Sequence, residues 1–141
     1  MEDSFNLNRF ISAQSFHYDM ALNEIKRGRK TSHWMWFIFP QYKGLGNSEI
    51  SKKYSITSLD EAIAYYNHPI LGNRLVEITT TFMYLENKTA LEVLGNPDNL
   101  KMNSCMTLFY SIQTESEIFS NVLNKYYSNS YCKKTISQLQ F

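Results

Sequence analysis

Two tryptophans, Trp34 and Trp36, stand two residues apart in the apolar run Trp34–Phe39. Arg29 and Lys30 lie just before the run, and Lys43-Gly44-Leu45-Gly46 follows it closely. An indole face stacks on flat ligands such as nucleobases, a contact that contributes roughly 1–3 kcal/mol. Cations beside a glycine-bearing loop suit an anionic group such as a phosphate. Together these residue types predict a pocket for a nucleotide or an ADP-ribose-like anion. A plainer reading stands beside it. The run also suits the hydrophobic hub of a core, because aromatics bury the most area per residue. Lys26, Arg27, Arg29 and Lys30 also suit a solvated helix end. The two readings are compatible. On a strand both indoles share one face, whereas on a helix they sit about 200° apart, one toward the core and one toward a cleft.

Further polar groups flank this centre. His33 and Gln41 bracket the run and need partners if they are buried. His68 precedes a helix start, where it suits a cap or an acid–base group, and Arg74 follows one turn inside. Asp98 suits the positive end of the next helix, with Lys101 one turn on. The candidate ligand-binding set is therefore Arg29, Lys30, His33, Trp34, Trp36, Gln41, Lys43, His68, Arg74, Asp98 and Lys101. No catalytic constellation accompanies it. Paired carboxylates, a Gly-x-Ser-x-Gly elbow and a His-Glu-x-x-His pair are all missing. Neither a P-loop nor a dinucleotide Gly-x-Gly-x-x-Gly unit is present. Hydrolysis of the ligand stays open, without a named general base. His17, His33 and His68 are too scattered for a metal site, and no cofactor is expected. Cys105 and Cys132 lack a Cys-x-x-Cys spacing, and Cys105 reads as a small core residue on a helix.

These residues must be positioned by one fold. The chain has 141 residues and a net charge of +1, which predicts one domain spanning residues 1–141. Hydrophobic residues at 43% and charged residues at 19% exclude a disordered tail. The balanced charge excludes a protein that coats nucleic acid, and binding through the Lys26–Lys30 cluster is the least favoured partner reading. No apolar run is long enough for a membrane span. The acidic start Met1-Glu2-Asp3-Ser4 carries no export signal, so a cytoplasmic location and reduced cysteines are expected.

The punctuation is helical throughout. Asn6 or Asn8 suits the cap of a first helix to about Gln14. A second opens at Ser15 or Phe16 and closes at Gly28. The run Trp34–Phe39 fits either a strand or a buried helix and stops at Pro40. Ser48 and Ser58 read as caps, the latter with Glu61 at capping-box spacing. Leu71, Leu75, Ile78, Phe82 and Leu85 repeat at helical spacing. Thr89 opens a short turn that Gly95 ends, and Pro97 opens the next helix. Thr114 to Glu117 offers a cap and acidic first-turn residues before Ile118–Tyr126, and Cys132–Leu139 forms a last short helix. The expected fold is all-α, one compact orthogonal bundle of about seven or eight short helices.

Several blocks carry a resemblance. Ser32-His33-Trp34-Met35-Trp36-Phe37-Ile38-Phe39-Pro40-Gln41, Gly44-Leu45-Gly46, His68-Pro69, Leu71-Gly72, Arg74-Leu75, Pro97-Asp98-Asn99-Leu100-Lys101 and Ser104–Phe109 resemble the bacterial domain-of-unknown-function 1810 family. The resemblance runs from about Phe5 to Leu139. It implies a compact cytoplasmic all-α domain and supplies no established activity. The segment Arg9-Phe10-Ile11-Ser12-Ala13-Gln14 is also similar to the aromatic-x-x-Ala-Gln segment of the NADAR family, helical proteins that act on ADP-ribose linkages. That segment has a Glu where this chain has Asn8, so the likeness implies a ligand class and not a shared N-glycosidic reaction. The alternative function is a non-catalytic module that docks a protein partner through exposed aromatics.

Overall fold

The structure is a computed structural model that describes residues 3–139. Met1 and Glu2 of the acidic start lie outside the described residues. Among the described residues, nine helical segments and no strand occur: α1 (Asn8–Lys26), α2 (Met35–Ile38), α3 (Glu49–Lys53), α4 (Leu59–Asn67), α5 (Leu71–Met83), α6 (Ala90–Leu94), α7 (Asp98–Ser111), α8 (Ile118–Tyr127) and α9 (Lys133–Leu139). The fold is all-α. None of these helices is long and apolar enough to cross a membrane.

Local signals set many of the ends. Ser48 accepts from Ser51 N–H and Ser58 accepts from Glu61 N–H, which satisfies a free donor at each start. Thr89 and Glu92 form a reciprocal capping box. At Ser58 only half of the expected box forms, because the Glu61 carboxylate accepts from Thr57 N–H and its hydroxyl instead. Asn6 and Asn8 do not cap α1. Asp3 does so from outside, its carboxylate accepting from Leu7 N–H at 2.7 Å and Asn8 N–H at 2.9 Å.

Two expectations about helix ends are corrected. The first two helices are one, α1, continuous over 19 residues. No Gly or Pro interrupts Gln14–Ser15, and the Ser15 hydroxyl folds back onto the Ser12 carbonyl. Residues Thr114 to Glu117 form the turn before α8 and not its acidic first turn. The Thr114 hydroxyl accepts from Ser116 N–H, and the Ser116 hydroxyl accepts from Ile118 N–H.

The core gathers around α7, where Met102, Cys105, Met106, Leu108 and Phe109 are fully buried. Helix α7 packs on α8, α6, α9 and α4, while α5 packs on α1, α8 and α4. Phe10 meets Tyr65 edge-on with centroids 5.1 Å apart, and Phe109 lies 5.6 Å from Phe119. Burying each such ring stabilises the fold by about 1.5–3 kcal/mol. Cys105 and Cys132 are both free, and burial pushes the Cys105 thiol well above its ordinary pKa. Gly72 marks a close approach of α5 to the end of α4. A Cβ there would fall 1.8 Å from the Tyr66 carbonyl oxygen.

Candidate functional site

The site begins with a buried carboxylate near the end of α1. Glu24 is 2% exposed and falls on the stripe Tyr18, Ala21, Ile25 that faces the core. It accepts from Thr31 N–H (2.7 Å), Ser32 N–H (3.0 Å), Ser32 Oγ (2.6 Å) and Trp34 Nε1 (3.0 Å). Burial alone would raise its pKa. The hydrogen bonds to the charged form outweigh that and hold it down at about 2. The sequence reading missed Glu24. Its signal was a carboxylate placed at the spacing of buried residues, where it needs donors from another segment.

Glu24 thereby decides which tryptophan is structural. The indole of Trp34 is fully buried against Phe39, and its N–H is consumed by Glu24. The apolar run becomes a single helical turn, α2, and Gln14 of α1 donates to the Phe37 carbonyl at 2.8 Å. A helical turn points Trp36 away from Trp34, and Trp36 stays half-buried at the surface.

Two lysines converge above these indoles. The Lys30 ammonium lies 5.0 Å from the Trp34 ring centre, donates to the Ser32 carbonyl and reaches Asp98 Oδ2 at 2.7 Å. Lys101 lies 4.3 Å from the Trp36 ring centre and reaches Asp98 Oδ1 at 3.1 Å. Asp98 is the first residue of α7 and Lys101 sits one turn on, so one helix end carries both. The side chains of Lys30, Asp98 and Lys101 are 8%, 15% and 22% exposed, so solvent screens this trio only in part. With His33, Trp34, Met35, Trp36, Phe37 and Ile50 they line a cleft of about 240 Å³. Each ammonium has three protons. Lys30 uses one on Asp98 and one on Ser32, and Lys101 uses one on Asp98. Among the described residues three donor positions meet no oxygen acceptor, and both ammonium groups also face an indole ring, with a local excess of one positive charge.

A second cavity of about 260 Å³ lies across Trp36, lined also by Gln41, Lys43, Gly44, Gly46, Asn47 and Ser51. Its walls are pinned where Lys43 N–H donates to the Ile56 carbonyl (2.8 Å) and Ile56 N–H to the Gln41 carbonyl (2.9 Å). The loop closes tightly on the indole. A Cβ on Gly46 would fall 2.8 Å from both Trp36 Cη2 and Ser51. Gln41 is 3% exposed, and its carboxamide nitrogen has no hydrogen-bond partner among the described residues.

The structure thus brings Lys30, His33, Trp34, Trp36, Asp98 and Lys101 to one cleft, with Trp34 buried at its floor, and Gln41 and Lys43 to the cavity beside it. Three expected members lie elsewhere. Arg29 is exposed and lines neither cavity. His68 Nδ1 accepts from Ile70 N–H (3.1 Å) and Leu71 N–H (3.3 Å), a cap at the start of α5. Arg74 lies 5.2 Å from the Tyr18 ring centre and reaches Gln14 Oε1 at 3.4 Å. Gln14, the end of the Ala-Gln segment, is buried between Phe37 and Tyr65 as a core hydrogen-bonding group. A larger cavity of about 470 Å³ runs from Phe109 to Ser120 and Ile136. Among the described residues its one lining group charged at neutral pH is Glu117, so its charge does not suit an anion.

Fold and cleft together define an all-α domain with a lysine-lined cleft on a tryptophan wall. Residues 4–139 match the family described as Protein of unknown function (DUF1810), and the chain belongs to that family. Among solved structures it is similar to the conserved hypothetical protein Rv1873 from Mycobacterium tuberculosis, with 41% identity, 99% of each chain covered and a TM-score of 0.96. None of the curated proteins matches the chain.

Proposed function

We propose that the chain binds a small phosphate-bearing anion, of the nucleotide or ADP-ribose kind, in the cleft of Lys30, Asp98 and Lys101. The observation that carries the reading is the convergence of two ammonium groups on one carboxylate beside the half-buried Trp36. Asp98 holds both cations in place, and three donor positions stay open for acceptor oxygens. One net positive charge at about 4 Å from an anion gives roughly 4 kcal/mol of gross attraction at a partly screened site. Stacking on the indole adds about 1–3 kcal/mol, and desolvation and lost ligand freedom subtract from the sum. Among the described residues Asp98 is the one carboxylate lining the cleft, and it is engaged by both lysines. This supports binding more than bond cleavage.

Calorimetric titration with AMP, ADP-ribose and inorganic phosphate tests the reading. Saturable binding that Lys101→Met weakens supports it. No heat and no thermal stabilisation with any of the three at millimolar concentration ends it. A partner-docking module would use Phe16 and Met20, exposed four residues apart on α1. The other exposed aromatics, Phe5, Tyr84 and the stacked pair Tyr110 and Tyr131 (5.4 Å between ring centres), sit on different segments, so no one helix face gathers them.

A further inference from the structure

We infer that the loop cavity is a second subsite, in which Gln41 reads the edge of a nucleobase whose face lies against Trp36. The inference rests on the reading of the lysine cleft as the phosphate subsite. Its own observation is separate. A buried amide donor without a partner is costly, and native structures rarely leave one. Gln41 is 3% exposed, lines this cavity, and its carboxamide nitrogen is unpartnered among the described residues. The carboxamide places a donor beside an acceptor, and a half-turn of the group exchanges the two. That pair complements the donor–acceptor edge of a nucleobase, the way Gln meets adenine elsewhere. Trp36 lines both cavities, so a ring in one and a phosphate in the other flank a single indole. Gly46 lets the loop pack against one edge of Trp36 and Ser51, where a Cβ would fall 2.8 Å from each, and so fixes the indole beside the cavity. The class of ligand is therefore a nucleoside phosphate, and Gln41 is the residue that selects its ring.

The test compares AMP, GMP, CMP and UMP with ribose 5-phosphate, which keeps the phosphate and lacks the ring. Calorimetry gives Kd, and the indole N–H resonance of Trp36 reports the wall. At least one nucleotide is expected to bind the wild type about tenfold or more tighter than ribose 5-phosphate, the lower range of a stacked and paired base. Gln41→Leu is expected to erase that advantage and leave ribose 5-phosphate binding unchanged. Gln41→Glu keeps the shape, so it serves if the leucine variant misfolds, and it is expected to shrink or invert the preference among bases. Equal binding of nucleotides and ribose 5-phosphate overturns the ring subsite while the phosphate cleft stands. So does a preference that both Gln41 variants leave intact. Binding of ribose 5-phosphate that Lys101→Met does not weaken overturns the cleft and removes the basis of this subsite. Binding of no phosphate-bearing probe overturns both.

Discussion

The Lys30 ammonium lies 2.7 Å from the Asp98 carboxylate, joining the segment before α2 to the first residue of α7. Asp98 holds Lys101 with its other oxygen. The acid therefore orients the cations and also offsets part of their charge. Asp98→Asn separates these roles. The local excess rises from one positive charge to two, so inorganic phosphate is expected to bind a few-fold tighter with a steeper salt dependence. Lys30 loses its partner while nearly buried, which is expected to cost about 1–3 kcal/mol of stability. Phosphate titrations at two ionic strengths, with urea unfolding alongside, measure both. Weaker phosphate binding at low salt would argue that positioning outweighs charge.

Glu24 makes stability depend on acid pH. Its pKa is about 2 in the fold against an ordinary 4.5. A depressed carboxylate stabilises the fold above the unfolded value and loses that contribution as pH falls through the folded one. The contribution is on the order of 3 kcal/mol, present above about pH 4.5 and lost toward pH 2. Urea midpoints measured across this window should fall for the wild type. In Glu24→Gln the part due to this group should vanish, leaving a lower and flatter profile.

The two tryptophans should part company on substitution. Trp34→Phe removes the indole donor to Glu24 and leaves a gap in a fully buried site. The expected loss is about 2–4 kcal/mol with anion affinity unchanged in the folded fraction. Trp36→Phe keeps an aromatic under Lys101 and should cost under about 1 kcal/mol. Fluorescence quenching by the bound ligand should disappear in Trp36→Phe and persist in Trp34→Phe.

Gly72→Ala tests the junction that places His68 as a cap. A methyl group there would sit 1.8 Å from the Tyr66 carbonyl oxygen, so the backbones of α4 and α5 must separate. A loss of about 3 kcal/mol or more is expected, at the upper end of overpacking costs. Thermal melting measures it, and a melting temperature within a few degrees of the wild type would contradict the close approach.

The helix class and many of the ends follow from residues within one turn of each other. Ser48, Ser58 and Thr89 each accept a bond from a backbone N–H three positions away, so short-range spacing suffices to read them. The basic and aromatic character of the site was legible for a similar reason, because Lys30, His33 and Trp36 are close in sequence. Other features depend on distant segments. Gln14 of α1 fastens the α2 turn, and Glu24 of α1 draws in Trp34 while leaving Trp36 at the surface. Asp98 and Lys101 complete the cleft only because α7 starts beside Lys30. Arg29, His68 and Arg74 have similar chemistry on paper, yet helix capping, ring contacts and solvent direct them elsewhere. Residue type and spacing by themselves determine a helical domain rich in aromatic rings and cations. Only the packed fold decides which of those groups share a cleft, because burial, desolvation and through-space charge depend on neighbours far apart in the chain.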